Sequence, residues 1–142
     1  MPIEDLARSD VVTATEDTAV SELGRTMAEE TVGSVVIVDE ETPVGIVTDR
    51  DLALRCVAGE SDLGDQTAEN VMTEDLATIE QGAGFYEAVG LMRDHGIRRL
   101  PVTDENGGIA GILTTDDLTT LLADEQQGLS EVIEAQRPPY DE

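Results

Sequence analysis

The sequence predicts an α/β (α+β) fold in which two β-α-β-β-α units pack as one pseudo-two-fold module. Three observations predict it. The segment Gly45-Ile46-Val47-Thr48-Asp49-Arg50-Asp51-Leu52 recurs 66 residues later as Gly111-Ile112-Leu113-Thr114-Thr115-Asp116-Asp117-Leu118. Upstream, a spacing of 65 aligns Thr13 with Thr78, Glu22 with Glu87, Met27 with Met92, and Asp39-Glu40 with Asp104-Glu105. One extra residue in the second turn, Asn106-Gly107-Gly108 against Glu41-Thr42, accounts for the change of spacing. Finally, a unit of about 45 to 50 residues buries too little apolar surface to stand alone, so the two copies are expected to pack face to face.

Each copy reads in the same order. A short strand, Val11 to Ala14 or Leu76 to Ile79, precedes an amphipathic helix. Its apolar positions are Val20, Leu23, Gly24 and Met27 in the first copy and Phe85, Ala88, Val89 and Met92 in the second. Both sets follow i, i+3, i+4, i+7, one face of a helix. Gly33 or Gly96 lies just past the helix end, and Gly96 is placed as a C-cap. Two strands joined by an acidic turn read as a hairpin: Val35 to Val38 with Val44 to Val47, and Leu100 to Thr103 with Ile109 to Leu113. A second helix then runs from about Asp49 to Val57 and from about Thr115 to Ala123. Residues 58–73 read as a polar linker that ends in Val71-Met72-Thr73. The tail 124–142 extends the last helix through Leu129, Val132 and Ile133 until Arg137-Pro138-Pro139 stops it.

Composition narrows the chemistry. The 142 residues carry 32 Asp and Glu against 8 basic residues, a net charge of −24, and every basic residue is Arg. Without Lys there is no Walker-type phosphate loop and no lysine general base or Schiff base. Such a field repels phosphate backbones, so nucleic acid is not an expected partner. One His and one Cys cannot build a Cys/His zinc site, an iron–sulfur site or an intrachain disulfide. No G-x-S-x-G elbow is present, and any triad would have to use His95. No apolar stretch approaches the roughly 20 residues that span a bilayer, and Met1-Pro2-Ile3-Glu4-Asp5 lacks the basic start of a signal peptide, so a cytoplasmic protein is expected.

The same excess of acid resembles proteins of salt-in halophiles. Self-repulsion among so many carboxylates destabilises the compact state in dilute salt, and at molar salt the Debye length falls to about 3 Å. The melting temperature is therefore expected to rise steeply with KCl concentration. A midpoint indifferent to KCl in a denaturation series contradicts this reading.

The repeated Gly-apolar-apolar-Thr-x-x-Asp segment sits where a strand hands over to a helix. Gly45 and Gly111 lack a side chain, which lets a ligand or another backbone approach. Thr48 and Thr114 lie beside the free N–H groups of the next helix, and Asp51 and Asp117 stand on its first turn, where a carboxylate can accept both hydroxyls of a ribose. Thr-x-x-Asp is equally a helix capping box that binds nothing. Duplication at matching places, each behind a Gly-containing strand, favours a site. Weaker signals are absorbed by the fold: Gly82-Ala83-Gly84 has Glu87 where a dinucleotide fingerprint needs its third Gly, Cys56 reads as a small core residue, and Met27 and Met92 as core fillers. Carboxylate pairs such as Asp116-Asp117 arise from composition alone.

On these residues the chain resembles a tandem pair of CBS domains, a Bateman module, over roughly residues 8 to 123. The resemblance is carried by Val32-Gly33-Ser34-Val35-Val36-Ile37-Val38-Asp39, by Met92-Arg93-Asp94-His95-Gly96-Ile97-Arg98-Arg99-Leu100-Pro101-Val102 and by the two Gly-to-Leu segments. It divides the chain into CBS repeat 1 at 8–57, a linker at 58–73, CBS repeat 2 at 74–123 and an extension at 124–142. It implies adenosyl ligands (AMP, ADP, ATP or S-adenosylmethionine) in clefts between the repeats, and a flat homodimer. Thr48 and Asp51 would then form one site and Thr114 and Asp117 the other, with Thr13 and Thr78 near the bases. Arg50 is placed to neutralise a phosphate in the first site. Asp116 replaces it in the second, where His95, Arg98 and Arg99 are the local donors that compensate. Val36 stands where the second copy has Pro101, which suggests a differently shaped loop.

The expected function is a non-catalytic regulatory module with no required cofactor, for which the adenine nucleotide or S-adenosylmethionine is a regulatory ligand. No fused output domain fits in 142 residues, so it is expected to act on a protein partner in trans. The alternative is a dimeric scaffold whose clefts stay empty and whose motifs are only caps.

Overall fold

A computed structural model of the chain describes residues 2–57 and 65–136. The first repeat contains β1 (Thr13–Ala14), α1 (Val20–Glu30), β2 (Ser34–Asp39), β3 (Thr42–Thr48) and α2, which is α-helical over Asp49–Asp51 and π-helical over Leu52–Val57. After α3 (Ala68–Val71), the second repeat contains β4 (Ile79–Glu80), α4 (Phe85–His95), β5 (Arg99–Thr103), β6 (Ile109–Thr114) and α5 (Thr115–Gln136). The expected helix stop at Arg137-Pro138-Pro139, residues 58–64 of the linker and the Cys56 side chain lie outside what is described.

Each repeat builds its own three-stranded sheet, ordered β1-β2-β3 and β4-β5-β6, with the first pair parallel and the second antiparallel. The pseudo-symmetry extends to irregularities: the register shifts between Ile37 and Val38 in one hairpin and between Val102 and Thr103 in the other. Alternation sends Val35, Ile37 and Val47 to the core under α1, and Leu100, Val102 and Leu113 to the core under α4. Val36 and Pro101, on the opposite faces, are also fully buried.

Pro101 shapes a strand, not a loop. It pairs with Ile112 in mid-strand just as Val36 pairs with Ile46. The difference is a hydrogen bond: the Val36 N–H donates to the Val12 carbonyl at 3.0 Å, and Pro101 has no N–H to repeat it. Accordingly β1 begins at Thr13, whereas β4 begins one equivalent position later, at Ile79.

The first amphipathic helix ends on Thr31 and not at Gly33. Thr31 adopts the left-handed conformation (φ 56°, ψ 50°), in the place that Gly96 (φ 63°) fills in the second repeat. Strain also sits in the first hairpin turn, where Glu40 and Glu41 have φ of 49° and 76°. Two positive φ values in a two-residue turn favour Asn-Gly. The double change Glu40→Asn/Glu41→Gly is expected to stabilise the protein by about 1–2 kcal/mol, since left-handed backbone costs a residue other than Gly roughly that much. Chemical denaturation measures it, and an unchanged midpoint would show that the turn carries no such strain.

The two repeats exchange their leading segments. A 3-10 turn at Ile3–Asp5 packs into the second core, where Ile3 is wholly buried and its N–H donates to the Ala83 carbonyl at 2.9 Å. Symmetrically, Ala68, Val71 and Met72 belong to the first core, and the Ala68 N–H donates to the Thr18 carbonyl at 2.8 Å. Residues 68–72, read from sequence as linker, are thus structural, and the N-terminal residues before position 8 are as much a part of the module as the strands. Burying one aliphatic side chain such as Ile3 stabilises by about 1.5–3 kcal/mol.

Candidate functional site

Thr48 and Thr114 each end a strand and begin a helix, and both build a capping box. In the first, the Thr48 N–H donates to Asp51 Oδ2 at 2.9 Å and the Asp51 N–H to Thr48 Oγ1 at 3.1 Å. In the second, the Thr114 N–H donates to Asp117 Oδ2 at 3.0 Å and the Asp117 N–H to Thr114 Oγ1 at 3.2 Å. The helix starts are pinned across to the edges of the hairpins: the Asp49 N–H donates to the Gly33 carbonyl and the Thr115 N–H to the Arg98 carbonyl. The cap thus holds one oxygen of each Asp. Among the described residues the other oxygen of Asp51 pairs only with Arg55 Nε, at 4.0 Å, whereas that of Asp117 meets Arg8 Nε at 3.4 Å.

Two clefts result. The first has a volume of about 500 Å³, within the usual range for small-molecule sites. Thr48, Arg50, Asp51 and Thr73 line one side, and Gly96, Ile97, Arg98 and Arg99 of the second repeat the other. The second cleft, of about 240 Å³, sets Thr114 and Asp116 against Asp10, Val11, Val12 and the residues from Thr31 to Ser34, with Arg8 at its side. Arg99 lines both.

Several expected site residues converge: Thr48, Arg50 and Asp51 share the first cleft, and Thr114 lines the second, with Asp117 capping behind it. Arg98, expected at the second site, instead lines the first, and Arg99 lines both, since each cleft is built from both repeats. Three line neither cleft. His95 is exposed and its Nδ1 donates to the Leu91 carbonyl of its own helix at 3.0 Å, so it supplies no donor to either cleft. Thr13 lies exposed in β1, and Thr78 lines a separate cavity with Gly82, Glu87 and Leu91. The backbone just before β1, at Val11 and Val12, is what reaches the second cleft.

Gly45 and Gly111 make room for the exchanged segments, Gly45 against a side chain and Gly111 against backbone. A Cβ on Gly111 would stand 2.7 Å from the Arg8 carbonyl oxygen, and one on Gly45 would stand 2.5 Å from Met72 Sδ. These glycines admit the exchanged segments, which bridge to the strands at Arg8–Ile112 and Thr73–Ile46. Arg8 is the cleft residue that the sequence pattern missed. Its signal was the same spacing of 65, which sets Ile3, Leu6 and Ala7 against Ala68, Val71 and Met72, and Arg8 against Thr73.

Among the described residues no group of three or more His, Cys, Asp or Glu side chains is placed to hold a metal ion, and no helix is long and apolar enough to cross a membrane.

The CBS domain family model matches residues 3–57 and 68–124, starting in each repeat at the exchanged segment. An uncharacterized protein of Methanopyrus kandleri is 39% identical over 117 residues, covering 82% of this chain; the chain spans 60% of that relative's length. An uncharacterized protein of Bacillus subtilis is 40% identical over 119 residues, covering 82% of this chain and 79% of its own length. Among solved structures, a CBS domain protein from Pyrobaculum aerophilum complexed with AMP is similar with a TM-score of 0.75 at 28% identity, covering 83% of this chain and 90% of that one.

Proposed function

The chain belongs to the CBS-domain family, with two copies in tandem, and from that premise we propose that it is a non-catalytic regulatory module that binds an adenosyl ligand between its repeats. The observation that carries this reading is the composition of the first cleft. Thr48 and Asp51 of one repeat face Arg98 and Arg99 of the other across a cavity large enough for a nucleotide. The Asp51 oxygen left out of the cap is an acceptor for ribose hydroxyls, and the guanidinium groups suit a phosphate. The AMP held by the Pyrobaculum relative supports the ligand class.

Because the cleft is made from both repeats, a ligand that binds one arrangement of them more tightly shifts the module toward it. That shift is read by a partner in trans and through a homodimer. An apolar groove between α4 and α5, lined by Phe85, Val89, Met92, Leu118 and Leu122, supports self-association, as do the exposed Leu129, Val132 and Ile133 of α5. The protein works in a cytoplasm of high salt, on the reading of its charge given above.

A second reading, a scaffold with empty clefts, is favoured by one observation: both Thr-x-x-Asp pairs are fully closed as capping boxes. Calorimetric titration in molar KCl separates the two. Saturable heat and a rise in melting temperature are expected with AMP, ATP or S-adenosylmethionine. Neither heat nor thermal shift with any of the three leaves the scaffold standing.

A further inference from the structure

Resting on the adenosyl-ligand reading, we propose that the two clefts sort ligands by charge: the first takes an adenosyl ligand that carries phosphate, and the second takes one whose 5′ substituent carries no negative charge. The repeat symmetry allows the comparison position by position. Where the first cleft has Arg50 the second has Asp116, and where the first has Thr73 the second has Arg8. The two exchanges do not cancel, because Arg8 is already engaged at 3.4 Å with Asp117. The first cleft sets Arg50, Arg98 and Arg99 against Asp49 and Asp51, whereas the second sets Arg8 and Arg99 against Asp10 and Asp116, with Asp117 beside them. A phosphate gains charge-assisted hydrogen bonds from a guanidinium and meets like charge at Asp116. The volumes agree, about 500 Å³ against about 240 Å³.

Arg99 ties the clefts together. It opens β5, and its Nη2 lies 2.9 Å from the point where a Cβ on Gly33 would stand, so the guanidinium passes over the bare Gly33 backbone. Its single positive charge cannot fully neutralise a phosphate on each side. Phosphate bound in the first cleft holds Arg99 there and leaves the second with only the engaged Arg8. The first phosphorylated ligand thereby discourages a second.

Titration calorimetry of the full chain in molar KCl tests this with AMP and with 5′-methylthioadenosine, which differ in the 5′ group. AMP is expected to fill one site per chain, and 5′-methylthioadenosine to bind a further site on AMP-saturated protein. Arg50→Asp should weaken AMP at least about tenfold. Asp116→Arg, at an exposed position, should raise the AMP stoichiometry from one to two. AMP filling both sites of the unaltered chain with similar affinity overturns the sorting while leaving the adenosyl reading intact. So does an AMP stoichiometry that stays at one in a folded Asp116→Arg protein, or an AMP affinity untouched by Arg50→Asp. If 5′-methylthioadenosine finds no site beside AMP, the role of the second cleft is overturned. If neither compound binds, the adenosyl reading itself fails.

Discussion

Gly111→Ala is expected to lower the melting temperature by about 10 °C. The added Cβ would stand 2.7 Å from the Arg8 carbonyl oxygen, a backbone atom held by reciprocal hydrogen bonds with Ile112 at 2.9 Å in each direction. That backbone cannot step aside unless the N-terminal segment leaves β6, which exposes Ile3. Overpacking of about 1–3 kcal/mol and loss of part of the burial of Ile3 together approach about 3 kcal/mol, and each kcal/mol moves the midpoint of a chain this size by roughly 3–5 °C. Gly45→Ala is expected to cost less, about 1–2 kcal/mol, although its nearest contact is shorter. There the obstruction is the Met72 side chain, whose Sδ and Cγ, at 2.5 and 2.9 Å, can swing aside while its Cβ, at 3.2 Å, has to give by only a few tenths of an ångström. Thermal denaturation of both variants in molar KCl gives the comparison. A Gly111→Ala protein that melts with the unaltered chain would show that the exchange of leading segments contributes nothing to stability.

Asp51→Ala is expected to weaken AMP by at least about thirtyfold, through loss of a charged acceptor whose hydrogen bonds are worth roughly 1.5–3 kcal/mol each. The same change removes a cap, costing about 1 kcal/mol of stability. The two roles separate with Asp51→Asn, whose amide oxygen can still accept the Thr48 N–H but whose charge is gone. Stability should return with Asn while affinity for AMP stays depressed. Equal AMP affinity in all three proteins, with stability falling only in the Ala variant, would reduce Asp51 to a helix cap.

What the sequence made legible followed from periodicity and duplication. The spacing of Val20, Leu23 and Met27 and of Ala88 and Met92 placed both amphipathic helices, and the Gly-to-Leu segments placed both strand-to-helix turns. Arg98 and Arg99, assigned by the repeat pattern to the second site, instead meet Thr48, Arg50 and Asp51 in the first cleft, and only Arg99 also reaches the second, because each cleft is built from both repeats. The exchanged segments escaped because they are short: Ile3 to Arg8 and Ala68 to Thr73 share one identical residue, Glu4 with Glu69, and a few apolar positions. Their role depends on tertiary packing that no local pattern encodes. Thr13 and Thr78 were misplaced for a related reason. The cleft is framed by backbone one or two residues earlier, and the missing N–H of Pro101 moves β4 past Thr78. His95 looked like part of a donor cluster by adjacency alone, but a residue three positions before Arg98 points elsewhere once Gly96 turns the chain through its left-handed cap.

A crystal structure of the full chain grown with AMP in molar KCl shows whether the first cleft holds a nucleotide. AMP is expected in the first cleft, its ribose hydroxyls on the Asp51 carboxylate and its phosphate among Arg50, Arg98 and Arg99. Clefts without AMP at saturating concentration, or AMP bound at the separate cavity beside Thr78, would contradict this expectation.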